Sequence, residues 1–153
     1  MDTVTYPNES VAAYLNEHFV CAKFNTAQPE AVKEVTRQFR ALWTPTFVFL
    51  DHHGIEVRRV VGYLPPEEFL PELEMARANA LLLNGKAGEA FTLFRHVAEQ
   101  HGGAAVAPEA LYYAGVAGYQ RDGIRAELQA QWTILKEQHP DSTWWTRASC
   151  IAG

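Results

Sequence analysis

The sequence predicts an α/β fold with a partial, mixed sheet, followed by an all-α tail of repeated helical hairpins. Strand signals occur only in the first part of the chain. The strongest is the apolar run Phe47–Leu50, bounded by Pro45 and by the turn Asp51–Gly54. A run this short fits a buried strand better than a core helix. After about residue 63 no strand signal follows, and similar residues recur at a fixed spacing instead.

Composition and charge exclude several functional classes. The 153 residues are 48% hydrophobic and 20% charged, which is globular composition with room for one domain or two small ones. The net charge is −5 and the sequence contains no basic stripe, so nucleic acid is not an expected partner. No apolar run approaches the ~20 residues of a membrane-spanning helix. Met1–Thr5 carries no basic or apolar export signal, so we expect a cytoplasmic protein as written; a periplasmic or exported one would need a signal segment upstream.

Helix and strand signals alternate in the first part of the chain. Asn8 or Ser10 can cap the first helix, and Pro29 lies in the first turn of the second. The predicted strand after the turn Asp51–Gly54 mixes charged and apolar residues, which is typical of a strand near a sheet edge. The predicted elements, in order, are a helix from Asn8 to Glu17, a strand from Phe19 to Phe24, a helix from Gln28 to Leu42, strands Thr46–Asp51 and Glu56–Gly62, and a helix from Pro65.

Two cysteines and one histidine pair are the first candidates for chemistry. Cys21 lies in an apolar strand candidate, so we expect a buried thiol, whereas Cys150 is expected to be exposed. A Cys21–Cys150 disulfide stays open, although nothing in the spacing argues for it. His52 and His53 lack further ligands at a suitable spacing, so we expect a solvated turn rather than a metal site. The sequence predicts no catalytic residue, no metal and no cofactor.

Residues 6 to about 79 resemble the later part of a thioredoxin-like domain. The segments that carry the resemblance are Tyr6–Val20, Trp43–Thr46, Phe49–Gly54 and Gly62–Leu70. In that family the proline that matches Pro45 is cis, and its loop pairs with an extended substrate strand beside the redox cysteines. The resemblance therefore implies that Trp43, Thr44 and Pro45 bind a protein or peptide partner.

The redox cysteines of that family are missing from this sequence. No C-x-x-C occurs, and Cys21 matches a strand position rather than either redox cysteine. Two hypotheses follow: a redox-inactive protein-interaction module, or a thiol–disulfide oxidoreductase whose C-x-x-C lies upstream of Met1 in a longer chain. The family's central strand is missing too. We therefore expect the two nearest strands to pair directly, or a second chain to fill the gap by dimerisation or strand exchange.

The tail shows an internal repeat with an offset of 38 residues, which pairs Gly85 with Gly123 and Glu99–His101 with Glu137–His139. One helical hairpin cannot cover its own apolar face, so stacked copies are expected. The same offset pairs Leu73 with Leu111, Ala76 with Ala114, Phe94 with Trp132 and Val97 with Leu135.

This region resembles tetratricopeptide-type repeats, whose usual length is about 34 residues, as found in envelope-associated bacterial proteins. We expect domains at residues 1–79 and 80–153 that share the helix at 66–84. Trp132 is expected in the core, whereas the neighbours Trp144 and Trp145 cannot both face inward from one helix. Small residues such as Gly115 and Gly118 are expected where two helices approach closely.

Overall fold

Seven helices and two strands make up the described part of the chain, which covers residues 1–25 and 29–150 of a computed structural model. The chain divides into two compact units, residues 1–70 and residues 71–153. The elements are α1 (Glu9–His18), α2 (Pro29–Phe39), β1 (Thr46–Leu50), β2 (Glu56–Val61), α3 (Pro66–Leu83), α4 (Ala87–Gln100), α5 (Ala107–Asp122), α6 (Arg125–Gln138) and α7 (Thr143–Ser149). The predicted fold class, an α/β part followed by a helical tail, is confirmed.

The helices of the first unit begin where local signals place them. The Asn8 side chain accepts hydrogen bonds from the backbone N–H groups of Ser10 and Val11, which confirms the predicted cap. Helix α2 ends at Phe39, three residues before the predicted end at Leu42. Its predicted first residue, Gln28, lies outside the described residues.

The sheet of the described residues contains β1 and β2 alone, and they pair antiparallel with Thr46 opposite Val61. The prediction of a mixed sheet is therefore corrected to an antiparallel hairpin. The prediction of a strand at Phe19–Phe24 is wrong, because no strand forms there. Cys21 on this segment is exposed rather than buried. A strand needs a hydrogen-bonding neighbour, and no described strand pairs with this segment.

The core of the first unit is a small aromatic cluster under the hairpin. Phe69, at the start of α3, lies 4.9 Å from Phe47 and 6.0 Å from Tyr6 between ring centroids. Phe49 meets Phe19 at 5.9 Å in an edge-on arrangement. Offset and edge-on pairs of this kind are the favourable geometries of aromatic rings. They hold the inner face of β1 in place.

The second unit is helical, and two of its helices keep the offset of 38 residues seen in the sequence. Helices α4 and α6 start and end at positions that differ by the offset of 38, at Ala87 and Arg125. The turns before them both contain a glycine with positive φ, 76° at Gly85 and 68° at Gly123. Left-handed backbone favours glycine, so these two residues end α3 and α5 at equivalent points.

The core of the second unit contains residues that the offset of 38 pairs. Trp132 is buried, as predicted, and Phe94 and Leu135 are buried with it in one cluster. Trp144 and Trp145 are both half-buried at the edge of this core, so neither fully faces inward. Among the described residues, no helix combines the length and hydropathy that a bilayer crossing needs.

Candidate functional site at the start of strand β1

The loop before β1 exposes large apolar side chains. Leu42 is 90% exposed and Trp43 is 71% exposed, next to the half-buried Pro45. Leu42 was predicted as the last apolar residue of a helix, and because α2 ends early it projects from a loop instead. Large apolar side chains that are exposed next to one another often mark an interaction surface.

Short hydrogen bonds fix the backbone of this loop. The Thr46 hydroxyl donates to the carbonyl oxygen of Trp43 at 2.6 Å. The N–H of Gly62 donates to the carbonyl oxygen of Pro45 at 2.8 Å, and Gly62 has a φ of 103° that favours glycine. The Thr44–Pro45 peptide bond is cis. The predicted residues Trp43, Thr44 and Pro45 therefore lie together in one turn anchored to the end of β2.

The same anchor adds two side chains that sequence reasoning missed. Val61 and Tyr63 are also exposed, and they flank the Gly62 that bonds Pro45. Both side chains are exposed because β2 ends at Val61. The residue types of β2 do not alternate clearly enough to show this end in the sequence. The four exposed side chains Leu42, Trp43, Val61 and Tyr63 lie on two segments that the bond between Gly62 and Pro45 joins, and we call them the apolar patch.

The outer edge of β1 continues from this patch. Pro45 and Asp51 flank β1, and both form backbone hydrogen bonds on the β2 side. The carbonyl oxygen of Pro45 accepts from Gly62, and the N–H of Asp51 donates to Ile55. In an antiparallel strand alternate residues turn N–H and C=O to the same side. The backbone groups of Thr46, Val48 and Leu50 therefore point away from β2, to an edge that no other described strand pairs with.

The two thiols lie in different units. Cys21 is exposed in the segment after α1, and Cys150 is exposed after α7; both are free. The Cys21 segment is tied to the amino terminus by an ion pair in which Lys23 Nζ lies 2.7 Å from Oδ1 and from Oδ2 of Asp2. This hydrogen bond lowers the pKa of Asp2 and raises that of Lys23.

No described residue of the first unit completes a metal site with the histidine pair. His52 and His53 are exposed in the turn between the strands, with ring centroids 3.8 Å apart. Asp51 turns its Oδ1 to the backbone N–H groups of His53 and Ile55, at 2.9 Å each, and so shapes the turn. Within the described residues, the one cluster of three ligand side chains lies in the second unit.

The family comparison agrees with the fold of the first unit. The profile of the thioredoxin-like domain matches residues 1–77, just over half of the 153 residues. Neither the curated proteins nor the solved structures give a significant match. The exposed loop, the cis bond before Pro45 and the paired strands β1 and β2 all lie inside the matched residues. The chain therefore belongs to the thioredoxin-like family.

Proposed function

We propose that the chain is a redox-inactive protein-interaction module whose first unit binds an extended peptide of a partner protein. The peptide adds to the outer edge of β1 as a further strand, with an apolar side chain against Trp43. The single observation that carries this proposal is the exposed pair Leu42 and Trp43 directly before β1, a strand whose outer edge pairs with no other described strand.

Backbone pairing supplies the affinity in this arrangement. An extended segment beside β1 would meet the outward N–H and C=O groups of Thr46, Val48 and Leu50. Specificity would come from the apolar patch at the start of the strand, because exposed aromatic side chains such as Trp43 are the usual anchors of binding. Soluble proteins normally protect such an edge with charge, prolines or a cover, and β1 (Thr-Phe-Val-Phe-Leu) carries neither a charged residue nor a proline.

The absence of a redox pair supports the interaction role. The sequence contains no C-x-x-C, and Cys21 lies outside any described helix or strand. The redox cysteines of the family become nucleophilic because they lie at a helix N-terminus, where the helix dipole favours the thiolate. The helical tail fits the same role, since a tetratricopeptide-like stack of hairpins presents extended surfaces for protein contacts.

Peptide binding tests the proposal directly. The probe is an array of immobilised synthetic decapeptides of varied sequence, read with the labelled full chain. We expect Trp43→Ala and Leu50→Lys to weaken binding to the selected peptides by about tenfold or more, because each removes an anchor or charges the edge. The matched controls are Tyr119→Ala and Ile124→Lys, which change exposed side chains of the second unit.

Two results would contradict the proposal. One is equal binding by the Trp43→Ala, Leu50→Lys and control variants. The other is thiol-dependent insulin reduction that disappears in a Cys21→Ser, Cys150→Ser double variant. If the chain instead forms a dimer through β1, the edge is occupied by a second copy and not by a peptide. Sedimentation equilibrium of the wild type and of Leu50→Lys distinguishes the two cases.

Membership of the thioredoxin-like family favours one second candidate, a thiol–disulfide oxidoreductase. This activity requires a C-x-x-C, which would have to lie upstream of Met1 in a longer chain. Reading the genomic DNA upstream in frame decides between the two. An apolar strand followed by Trp-Cys-x-x-Cys supports the enzyme, and a stop codon close upstream supports the module.

A further inference from the structure

Three side chains with metal-binding atoms converge in the second unit. Glu74 lies on α3, His96 lies in the last two turns of α4, and His101 follows the end of α4. Their ligand atoms all lie within 4.8 Å of one another. The exposed fraction of the side chain rises from 6% at Glu74 to 20% at His101 and 51% at His96. The cluster is therefore buried at the carboxylate and opens to solvent at His96.

Two of the distances between ligand atoms are close to the spacing around a tetrahedral metal ion, and the remaining pair lies within 4.8 Å. Nε2 of His101 lies 3.2 Å from Oε2 of Glu74, and Nε2 of His96 lies 3.6 Å from Oε1 of the same carboxylate. Ligands bound at about 2.0–2.1 Å to tetrahedral Zn²⁺ are separated from each other by about 3.3 Å. Two imidazoles and one carboxylate with a fourth position left open are also a frequent ligand set of zinc.

The carboxylate of Glu74 is buried between the two histidines. Its Oε2 accepts no hydrogen bond from a described residue, although Nε2 of His101 is 3.2 Å away. A buried carboxylate charge is costly unless a positive charge compensates it. A metal ion bound by this carboxylate and the two imidazoles would compensate the charge and bind the oxygen that lacks a hydrogen bond.

The three ligands do not recur together at the positions 38 residues later. At the offset of 38, His101 corresponds to His139, which also follows the end of its helix. Glu74 and His96, however, correspond to Tyr112 and Ile134, which offer no comparable ligand. The positions related by the offset therefore hold three possible ligands in one case and one in the other.

We propose that Glu74, His96 and His101 bind one divalent transition-metal ion, with Zn²⁺ as the best-fitting ion and solvent at the fourth position. Imidazole and carboxylate suit Zn²⁺ better than Mg²⁺ or Ca²⁺, which take oxygen ligands. The ion would link α3 to the end of α4 and neutralise the buried carboxylate. Binding of this kind stabilises the folded state, because the ligands are brought together only on folding.

Isothermal titration with zinc chloride tests the site in the full chain, prepared without a histidine tag and freed of metal with a chelator. We expect one Zn²⁺ per chain and a rise in the melting temperature of the wild type on adding Zn²⁺. Glu74→Gln, His96→Ala and His101→Ala should each weaken binding by at least about tenfold, since loss of an outer-shell partner alone costs 10–100-fold.

His139→Ala is the matched control, because it removes a histidine at the equivalent position of the other hairpin. It should bind Zn²⁺ with unchanged affinity. A His52→Ala, His53→Ala double variant should also be unchanged, which excludes binding at the exposed turn. Since His96 is half-exposed, His96→Ala keeps the test decisive if Glu74→Gln lowers the stability of the fold.

Three outcomes would overturn the proposal. The wild type could show no saturable binding, in which case Glu74 and the two histidines form only an ion-paired cluster. Binding could persist unchanged in all three ligand variants. Binding could be lost in the control variants instead, which would place the ion elsewhere.

Discussion

Gly115 lies where the backbone of α5 meets the indole of Trp132. A Cβ added at this position would lie 2.8 Å from Nε1 of Trp132 and 3.2 Å from the carbonyl oxygen of Leu128. The indole is buried, and its Nε1 donates to the carbonyl oxygen of Tyr112 at 3.1 Å, so it is held in place. The sequence predicted a small residue here because antiparallel helices must approach closely, and the contact confirms that reason.

Gly115→Ala is therefore expected to lower the free energy of unfolding by about 1–3 kcal/mol, the usual cost of overpacking a core. The control is Gly88→Ala in α4, where a Cβ would lie 3.5 Å from the nearest atom, in ordinary contact. There the helix propensity of alanine, worth up to about 1 kcal/mol, makes the change neutral or stabilising. Urea unfolding followed by far-UV circular dichroism measures both, and equal effects would contradict the close contact at Gly115.

Cys21 provides a second prediction for a single residue. Because both cysteines are exposed, we expect two thiols per chain to react with an aromatic disulfide reagent in the native protein. Cys21→Ser and Cys150→Ser should each remove one of the two. Thiol titration with and without denaturant gives the count. Only one reactive thiol in the native state, retained in Cys21→Ser, would return Cys21 to the buried strand that the sequence predicted.

The proposed partner-binding residues Trp43, Thr44 and Pro45 were predicted from the family resemblance, because the motif around Pro45 is continuous in the sequence. The ligands of the proposed metal site could not be found so, because Glu74 is 22 positions from His96. No spacing motif marks the three residues, and only the packing of α3 against the end of α4 brings them together.

At the scale of the elements, Arg59 links β2 to the end of α2. Its guanidinium donates from Nε and Nη2 to the two carboxylate oxygens of Glu56, at 2.7 and 2.6 Å. Nη2 also donates to the carbonyl oxygen of Phe39, the last residue of α2, at 2.5 Å. The carbonyls at a helix end have no partner within the helix, so this bond satisfies one of them. The sequence predicted a strand near a sheet edge from its mixture of charged and apolar residues, and one of these charged residues, Arg59, has this structural role.

The pair makes stability depend on pH. The hydrogen bond from Arg59 lowers the pKa of Glu56 from its ordinary value of 4.5. A carboxylate with a lowered folded-state pKa stabilises the fold above its unfolded pKa, and the contribution is lost as the pH falls through the folded pKa. We expect Glu56→Gln to cost about 0.2–1 kcal/mol near pH 7, since the pair is partly exposed, and almost nothing at an acid pH where the carboxyl group is protonated in the folded state as well.

Urea unfolding of the wild type and the variant at both pH values measures this difference. Arg59→Gln should cost more than Glu56→Gln near pH 7, by about 0.5–1.5 kcal/mol, because it also removes the bond to α2. Arg37→Gln, which changes an exposed arginine of α2, is the control for charge. A cost of Glu56→Gln that is the same at both pH values would contradict the role of the ion pair.

Helices could be predicted from the sequence more reliably than strands, for a physical reason. The Asn8 cap, the Ser142 cap and the glycines after α3 and α5 act within one turn of chain, so the sequence shows them directly. The apolar segment Phe19–Phe24 has the composition of a strand, but a strand forms only with a partner at its edge. No described strand pairs with this segment, so it forms no strand.

At the scale of the whole molecule, the two units have separate cores. The main hydrophobic cluster draws all of its buried members from residues 75–148, within the second unit. The first unit depends instead on the aromatic contacts under the hairpin, such as that between Phe47 and Phe69. Helix α3 contributes to both, with Phe69 in the first core and Met75 in the second. Most of the buried apolar side chains among the described residues therefore lie in the second unit.

This division predicts that residues 71–153 fold without the sheet, whereas residues 80–153 do not. The longer fragment begins at Pro71, which is tolerated in the first turn of a helix, and keeps Met75 and Ala78, both fully buried in the cluster. The shorter fragment begins at the domain boundary expected from the sequence and loses both. Emptying one large buried site costs about 2–5 kcal/mol, a large share of the 5–15 kcal/mol that stabilise a typical domain. Thermal unfolding by circular dichroism should be cooperative for 71–153 and absent for 80–153; a cooperative transition in the shorter fragment would show that this part of α3 is dispensable to the helical core.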